Sequence, residues 1–296
     1  GEWLLYDNRE NTGVTIPNRL SFDVEYYAKK LLSETEKEIG HLYPADEKGN
    51  KPIAYYWARV ATCGNPSCRA DVPLLKGFYL AKTTSKQVYL NPIIQGTQID
   101  FEIRSGSCLI EEGWNNRGNL NCPCCGSVTG IKTIKEQSIN GELKEVMLAV
   151  IVEGQSGKEY RLPLPSELDI ITKVPVPERP KEKMQRNSAG GDIFSWGYTE
   201  WGQMFSPRQL LALHTFVKNS RSIKLEILAN LGEAYAKAVA TYISILIDRV
   251  AVNLTSFSLW KPSGEFLSSA FGRQAIPMVF DYPESNPFCE SSGGGL

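Results

Sequence analysis

The chain has 296 residues, 42% of them hydrophobic and 22% charged, with a formal net charge of −1. This is enough apolar material for a sizeable core over roughly two domains, and it excludes both a disordered chain and a globally basic nucleic-acid binder, though not a local basic patch. No apolar run reaches the ~18 residues of a membrane span, no secretion leader opens the chain, and the lack of an initiator Met points to a piece of a longer or processed protein.

Residues 1–20 read as an irregular lead-in. Asp23 is placed to cap a helix over 24–39, with Val24, Ala28, Leu31, Thr35 and Ile39 on one face and Gly40 as its stop. A loop over 41–53 precedes candidate strands at Tyr55–Ala61, Leu74–Leu80, Gln87–Asn91 and Gln98–Arg104, rich in Tyr, Val, Ile and Phe. Further strands are expected near Ile131–Ile134, Glu145–Val152 and Glu159–Leu162, the last two joined by Gly154-Gln155-Ser156-Gly157. Residues 173–187 are a Pro-rich, locally basic linker, read as a solvated connector or, through Arg179, Lys181, Lys183 and Arg186, a phosphate contact. Ser206-Pro207-Arg208-Gln209 is a capping box opening a helix to about Lys218. A longer helix is expected over 223–251, with Leu228, Leu231, Tyr235, Ala238, Tyr242 and Leu246 on one face. Trp57, Trp196, Trp201 and Trp260 read first as core residues.

The seven cysteines carry the strongest signal. An odd number without a leader argues against a disulfide framework and for a reducing, cytoplasmic compartment. Five fall into two clusters, Cys63-Gly64-Asn65-Pro66-Ser67-Cys68 and Cys122-Pro123-Cys124-Cys125-Gly126. Each pairs thiols across a tight turn that Gly and Pro can form, with backbone N–H groups free to face sulfur. The expected site is a tetrahedral Cys₄ zinc centre of Cys63, Cys68, Cys122 and Cys125, with Cys124 spare and Cys108 and Cys289 as ordinary small residues. About 53 residues separate the two halves, more than the ~15–20 usual for a ribbon, so an inserted β-hairpin is expected between them. With only His41 and His214 in the chain, multi-His metal sites and Ser–His–Asp or Cys–His hydrolysis have little support.

The order of several strings resembles the Zn-ribbon-containing adenine-specific DNA methylases of bacteria and archaea. They are Ile39-Gly40-His41-Leu42-Tyr43-Pro44; Ala54-Tyr55-Tyr56-Trp57-Ala58-Arg59 before the first knuckle and Asp71-Val72-Pro73-Leu74-Leu75 after it; the second knuckle; Trp201-Gly202-Gln203-Met204-Phe205-Ser206-Pro207-Arg208-Gln209-Leu210; Tyr235-Ala236-Lys237-Ala238-Val239-Ala240 ahead of Asp248-Arg249; Phe271-Gly272-Arg273-Gln274-Ala275; and Asp281-Tyr282-Pro283-Glu284-Ser285-Asn286-Pro287-Phe288. They span about 250 residues. The resemblance implies methyl transfer from S-adenosylmethionine (SAM) to the exocyclic amine of adenine, on a Rossmann-like domain, in restriction–modification or phage defence. DNA, and restriction or defence proteins, would be its partners, with no membrane involved.

The family's two catalytic signatures are missing. No Gly-rich turn follows a strand near the N-terminus, and no Asp/Asn-Pro-Pro-Tyr/Phe occurs; Asn286-Pro287-Phe288 lacks one Pro. The chain therefore resembles the middle of such a methylase, and no catalytic or SAM-binding residue is assigned. Arg208, Gln209, Arg273 and Gln274 are candidate DNA contacts; the arginines equally suit an internal carboxylate such as Asp281 or Glu284. The segment 281–286 is a candidate border of a SAM or adenine pocket. The expected fold is α+β: a lead-in and helix (1–52), a β-rich zinc-ribbon domain (53–165), a linker (166–200) and a helical region (201–296) leading to the methyltransferase core. The alternative is a non-catalytic zinc-ribbon module that binds nucleic acid or a partner protein.

Overall fold

A computed structural model describes residues 4–6, 14–16, 18–110, 112–185, 193–272 and 275–289. Within the predicted irregular lead-in, β1 (Leu4–Tyr6) and β2 (Val14–Ile16) pair as an antiparallel ribbon. Helix α1 (Arg19–Ile39) starts earlier than predicted, because Asn18 is the extended capping residue and its side chain accepts the Ser21 N–H. Asp23 instead lies one turn inside, buried, where its carboxylate accepts the Tyr235 hydroxyl at 2.8 Å. Tyr27, Leu31, Thr35 and Ile39 form the buried stripe at helical spacing.

The centre of the molecule is β3 (Pro52–Thr62), ten of whose eleven residues are buried. Its near-continuous run of Ile, Ala, Tyr, Trp and Val suits a strand covered on both faces. After β4 (Asp71–Pro73) the chain forms a three-stranded meander of β5 (Tyr79–Lys82), β6 (Gln87–Gln95) and β7 (Gln98–Ser105). The expected strand at 74–80 is thus interrupted. Leu74, Leu75 and Phe78 are buried without strand pairing, and Gly113 lies so close that a Cβ there would come within 2.3 Å of the Leu75 carbonyl.

Short strands β8 (Asn115–Asn116), β9 (Asn119–Asn121) and β10 (Val128–Thr129) form a second three-stranded unit. The expected strand at 131–134 is a helix, α2 (Ile131–Ile139). Its buried residues, Ile134 and Gln137, are three apart, and the Asn119 side chain accepts the first N–H, from Ile131. Strands β11 (Lys144–Gly154) and β12 (Gly157–Arg161) form the expected hairpin, followed by α3 (Pro165–Lys173).

Two C-terminal helices are present as expected, but their boundary is not: α4 (Pro207–Leu231) runs on past the expected end at Lys218, and α5 (Glu233–Asn253) begins inside the expected long helix. They break at Gly232, whose φ of +82° is a conformation that residues with a Cβ resist. The break rotates the expected apolar face. In α5 the buried stripe is Ala236, Val239, Ile243, Ile247 and Val250, while Tyr242 is exposed. Helix α4 runs antiparallel to α1, joined by Lys218–Glu38, Asn219–Thr35 and Lys30–Glu226. A hairpin of β13 (Leu259–Lys261) and β14 (Phe266–Ser268) precedes the last strand, β15 (Asp281–Ser285).

Strand β15 ties the far end of the chain to its start. The central sheet runs β12-β11-β3-β15, and β4 also pairs with β3. On one edge of β3, residues 54–58 pair with β15 and residues 60–62 with β4. Arg59 sits at the handover, donating its N–H to Phe280 and accepting from Leu74. Its guanidinium is 2% exposed and is held by Tyr198, Ser256 and the Val279 carbonyl, beneath Phe257 and Tyr282. The described residues of 53–165 and 201–289 therefore share one sheet and one core. The fold is α+β, and every strand pairing among the described residues is antiparallel.

Candidate metal centre

Each cysteine cluster is the turn of a β-hairpin. The first joins β3 to β4, with Thr62 opposite Asp71, and the second joins β9 to β10, with Asn121 opposite Val128. Backbone bonds shape both turns: Cys63 donates to Ala70, Cys68 and Arg69 to Asn65, Cys122 to Ser127, and Gly126 to Cys122. Arg69 and Gly126 take positive φ, as tight knuckles require. The meander β5–β7 and strand β8 occupy the long insertion between them.

The two turns face each other. The Sγ atoms of Cys63, Cys68, Cys122 and Cys125 lie within 4.8 Å of one another. Cys63 and Cys125 are 3.7 Å apart, and Cys68 and Cys122 are 3.8 Å apart. A tetrahedral ion with metal–sulfur bonds of about 2.3 Å places its sulfurs about 3.8 Å apart, so the donor set and spacing fit zinc. Backbone N–H groups support the sulfurs, Cys124 and Cys125 toward Cys122 and Ser127 toward Cys125. Cys124 stands outside the quartet, as the spacing implied. Cys108 is half-buried and Cys289 buried.

Contacts outside the cysteines hold the two knuckles together. The Gly64 N–H donates to the Thr129 hydroxyl at 2.8 Å, and Asn65 Nδ2 donates to Ser127 Oγ at 3.2 Å. A Cβ at Gly64 would meet Thr129 at 3.1 Å, so a glycine permits this approach. The Gln137 amide accepts from the Thr62 N–H and donates to the Thr62 carbonyl, completing the end of β3 as a neighbouring strand would. Sequence reasoning missed Gln137 because it took its segment for part of a strand and loop.

Without a metal, burial pushes the Cys122 thiol well up, while the Ser127 hydroxyl and backbone hold Cys125 down at about 6. A bound cation replaces this uneven protonation with four thiolates. Four protein sulfurs leave no position for water or substrate, so the centre is structural in kind.

The candidate DNA contacts are placed differently. Arg208 is 1% exposed; its Nε donates to Glu284 Oε1 at 2.8 Å and its Nη1 to the Leu42 carbonyl at 2.9 Å, with Tyr55 and Tyr43 against its plane. Gln209 is also buried and closes the expected capping box, its Oε1 accepting the Ser206 N–H. Neither side chain is on the surface; Arg208 takes the internal-carboxylate role, with Glu284 as partner. Arg273 and Gln274 lie outside the described residues, as does Arg186. The connector 173–185 is mostly exposed, as a solvated connector requires, but its end is fastened: Met184 is buried and donates to Thr199, Trp201 and Gly202 donate to Glu182 and Pro180, and Lys183 pairs with Glu200, while Lys181 pairs with Glu178 inside the connector. Trp57, Trp196 and Trp260 are buried, whereas Trp201 is 41% exposed.

No glycine-rich turn joins a strand to a helix among the described residues. The Asn286 side chain is engaged in structure, donating to the Pro52 carbonyl and accepting the Phe288 N–H. No helix is long and apolar enough to cross a membrane among the described residues. No family model, no curated protein and no solved structure matches this chain.

Proposed function

We propose that this chain is the central, zinc-ribbon-bearing segment of a SAM-dependent adenine-specific DNA methyltransferase of the restriction–modification or phage-defence kind. The four-thiolate cluster is the observation that carries the reading, because the resemblance requires both knuckles to meet across a long insertion. The ordered strings over 39–288 supply the rest of the support. In this reading zinc is structural: it holds the two hairpins together and presents the inserted meander. The SAM-binding turn, the Rossmann-like sheet and the Pro-Pro tetrapeptide belong to sequence flanking this segment. DNA is the substrate, restriction or defence proteins are the partners, and the setting is cytoplasmic.

Elemental analysis of the purified chain and transfer of labelled methyl from SAM to adenine in DNA by the gene product with its flanking sequence test the proposal. One zinc per chain and adenine methylation by the extended protein are expected. A metal-free chain refutes the zinc ribbon. A zinc-loaded extended protein without methyl transfer leaves the non-catalytic zinc-ribbon module as the reading.

A further inference from the structure

Alternate residues of three neighbouring strands converge on one face of the central sheet: Glu145 of β11, Trp57 of β3, and Tyr282 and Glu284 of β15. The end of α3 at Ile171 and the first turn of α4 at Arg208 close over them, leaving a pocket of about 220 Å³. Its floor is buried, with Arg208, Tyr282 and Glu284 at most 1% exposed, while Glu145 stands at the more open side.

Trp57 Nε1, Arg208 Nη2, the Tyr282 hydroxyl and Glu284 Oε2 are all buried, and none has a hydrogen-bond partner of normal geometry. Folded chains rarely leave one such group unpaired, and here four belong to residues lining the same cavity. The Arg208–Glu284 pair is itself half-made. Nε meets Oε1, while Nη2 and Oε2 lack a partner of normal geometry, so the fork that normally closes on both sides offers one donor and one acceptor to the pocket. The charges around the pocket balance. Arg208 offsets Glu284, and Arg59 lies 3.8 Å from Glu145. An ion entering here would meet no net opposite charge.

We propose that this pocket binds a small, uncharged heteroaromatic molecule of the nucleobase class, which presents a donor and an acceptor side by side on one edge. The acceptor faces Arg208 Nη2 and Trp57 Nε1, the donor faces Glu284 Oε2, the Tyr282 hydroxyl takes one further hydrogen bond from the ligand's edge, and the indole and phenol rings with Ile171 supply apolar walls. The volume equals roughly seven waters and is smaller than a drug-sized site, which suits a single base. The site is separate from the zinc centre, and its Tyr282 and Glu284 lie in the segment expected to border a SAM or adenine pocket.

Calorimetry of the zinc-loaded chain with adenine, cytosine and nicotinamide tests it. At least one binds at millimolar concentration or below. Tyr282→Phe weakens that binding roughly 2–10-fold, the range for one lost hydrogen bond, and shifts the melting temperature of the ligand-free chain little, since the hydroxyl it removes makes only a contact of poor geometry with Glu145. Ile171→Trp fills the cavity and abolishes binding without touching the ion pair. Competition by single-stranded DNA would assign the ligand to a base within a strand, and its absence to a free molecule. No binding by any of the three probes, or binding indifferent to both variants, overturns the proposal and leaves a water-filled cavity.

Discussion

Substituting Glu284 by Gln puts the buried ion pair under direct test. The Arg208 guanidinium is 1% exposed, and Glu284 is its one recorded ion-pair partner among the described residues. Gln keeps the shape and one acceptor but removes the counter-charge. The cation then depends on the Leu42 carbonyl and the faces of Tyr55 and Tyr43, at 3.9 and 4.8 Å, which are present before and after the change and do not offset the loss. Breaking a buried pair from one side costs about 3–5 kcal/mol. At about 2.1 cal/mol/K of unfolding entropy per residue, a chain of this length shifts by about 1.6 °C per kcal/mol, so the melting temperature falls by roughly 5–8 °C. Thermal melts with urea midpoints measure it. The double variant Arg208→Met with Glu284→Leu recovers most of the loss, because an apolar replacement of the whole pair strands no charge. A fall under about 1 kcal/mol in the single variant would refute the reasoning, since water would then have to reach Arg208.

Chelation should release one zinc per chain and free four thiols. Hydrogen exchange should rise first at 63–70 and 122–127, whereas the β3–β11 pairing holds; uniform exchange across the sheet would contradict a locally structural metal. Cys63→Ser should lower zinc occupancy, and Cys124→Ser should leave it unchanged, as measured by elemental analysis. Burial raises the Asp281 carboxyl to about 6, against about 3.9 in the unfolded chain. The folded state then holds the extra proton between these values, so this group's contribution to stability falls as pH rises from about 4 to 6. Asp281→Asn, which keeps an acceptor for Tyr56, should gain in stability relative to the parent across that window in pH-dependent melts. Gly232→Ala should cost about 1–3 kcal/mol through backbone strain alone, because no atom lies within 4 Å of the added Cβ.

The cysteine quartet was legible because its signal is local: two short turns with thiols at fixed spacing, whatever lies between. The Ser206 capping box and the β11–β12 hairpin were legible for the same reason. Segment 131–139 misled because Ile131 and Ile134 suit a short strand as well as a helix, and only the cap from Asn119, in a neighbouring hairpin, favours the helix. The 223–251 reading ran through Gly232, since apolar residues on both sides happen to continue one helical face. Arg208 was half-legible. Its place in the first turn of a helix was clear, but its direction depends on Glu284, 76 positions away, and sequence period says nothing about that. The pocket was legible only at one wall, segment 281–286, because its other polar atoms come from β3, β11 and the start of α4, far apart in sequence.

The edge of β3 shared by β4 and β15 also governs how the molecule is made. Tyr56 and its partner Asp281 are 225 positions apart. At ribosomal rates of about 5–20 residues per second, β3 emerges roughly 10–45 seconds before β15. Through that interval residues 54–58 present an unpaired edge of Ala, Tyr and Trp, a template for another nascent chain. The first knuckle, whose hairpin pairs residues 60–62 of the same edge, is complete within about ten residues. Early metal capture would shorten the open edge from one end, and zinc supply during synthesis would then bear on yield as well as on the stability of the finished protein.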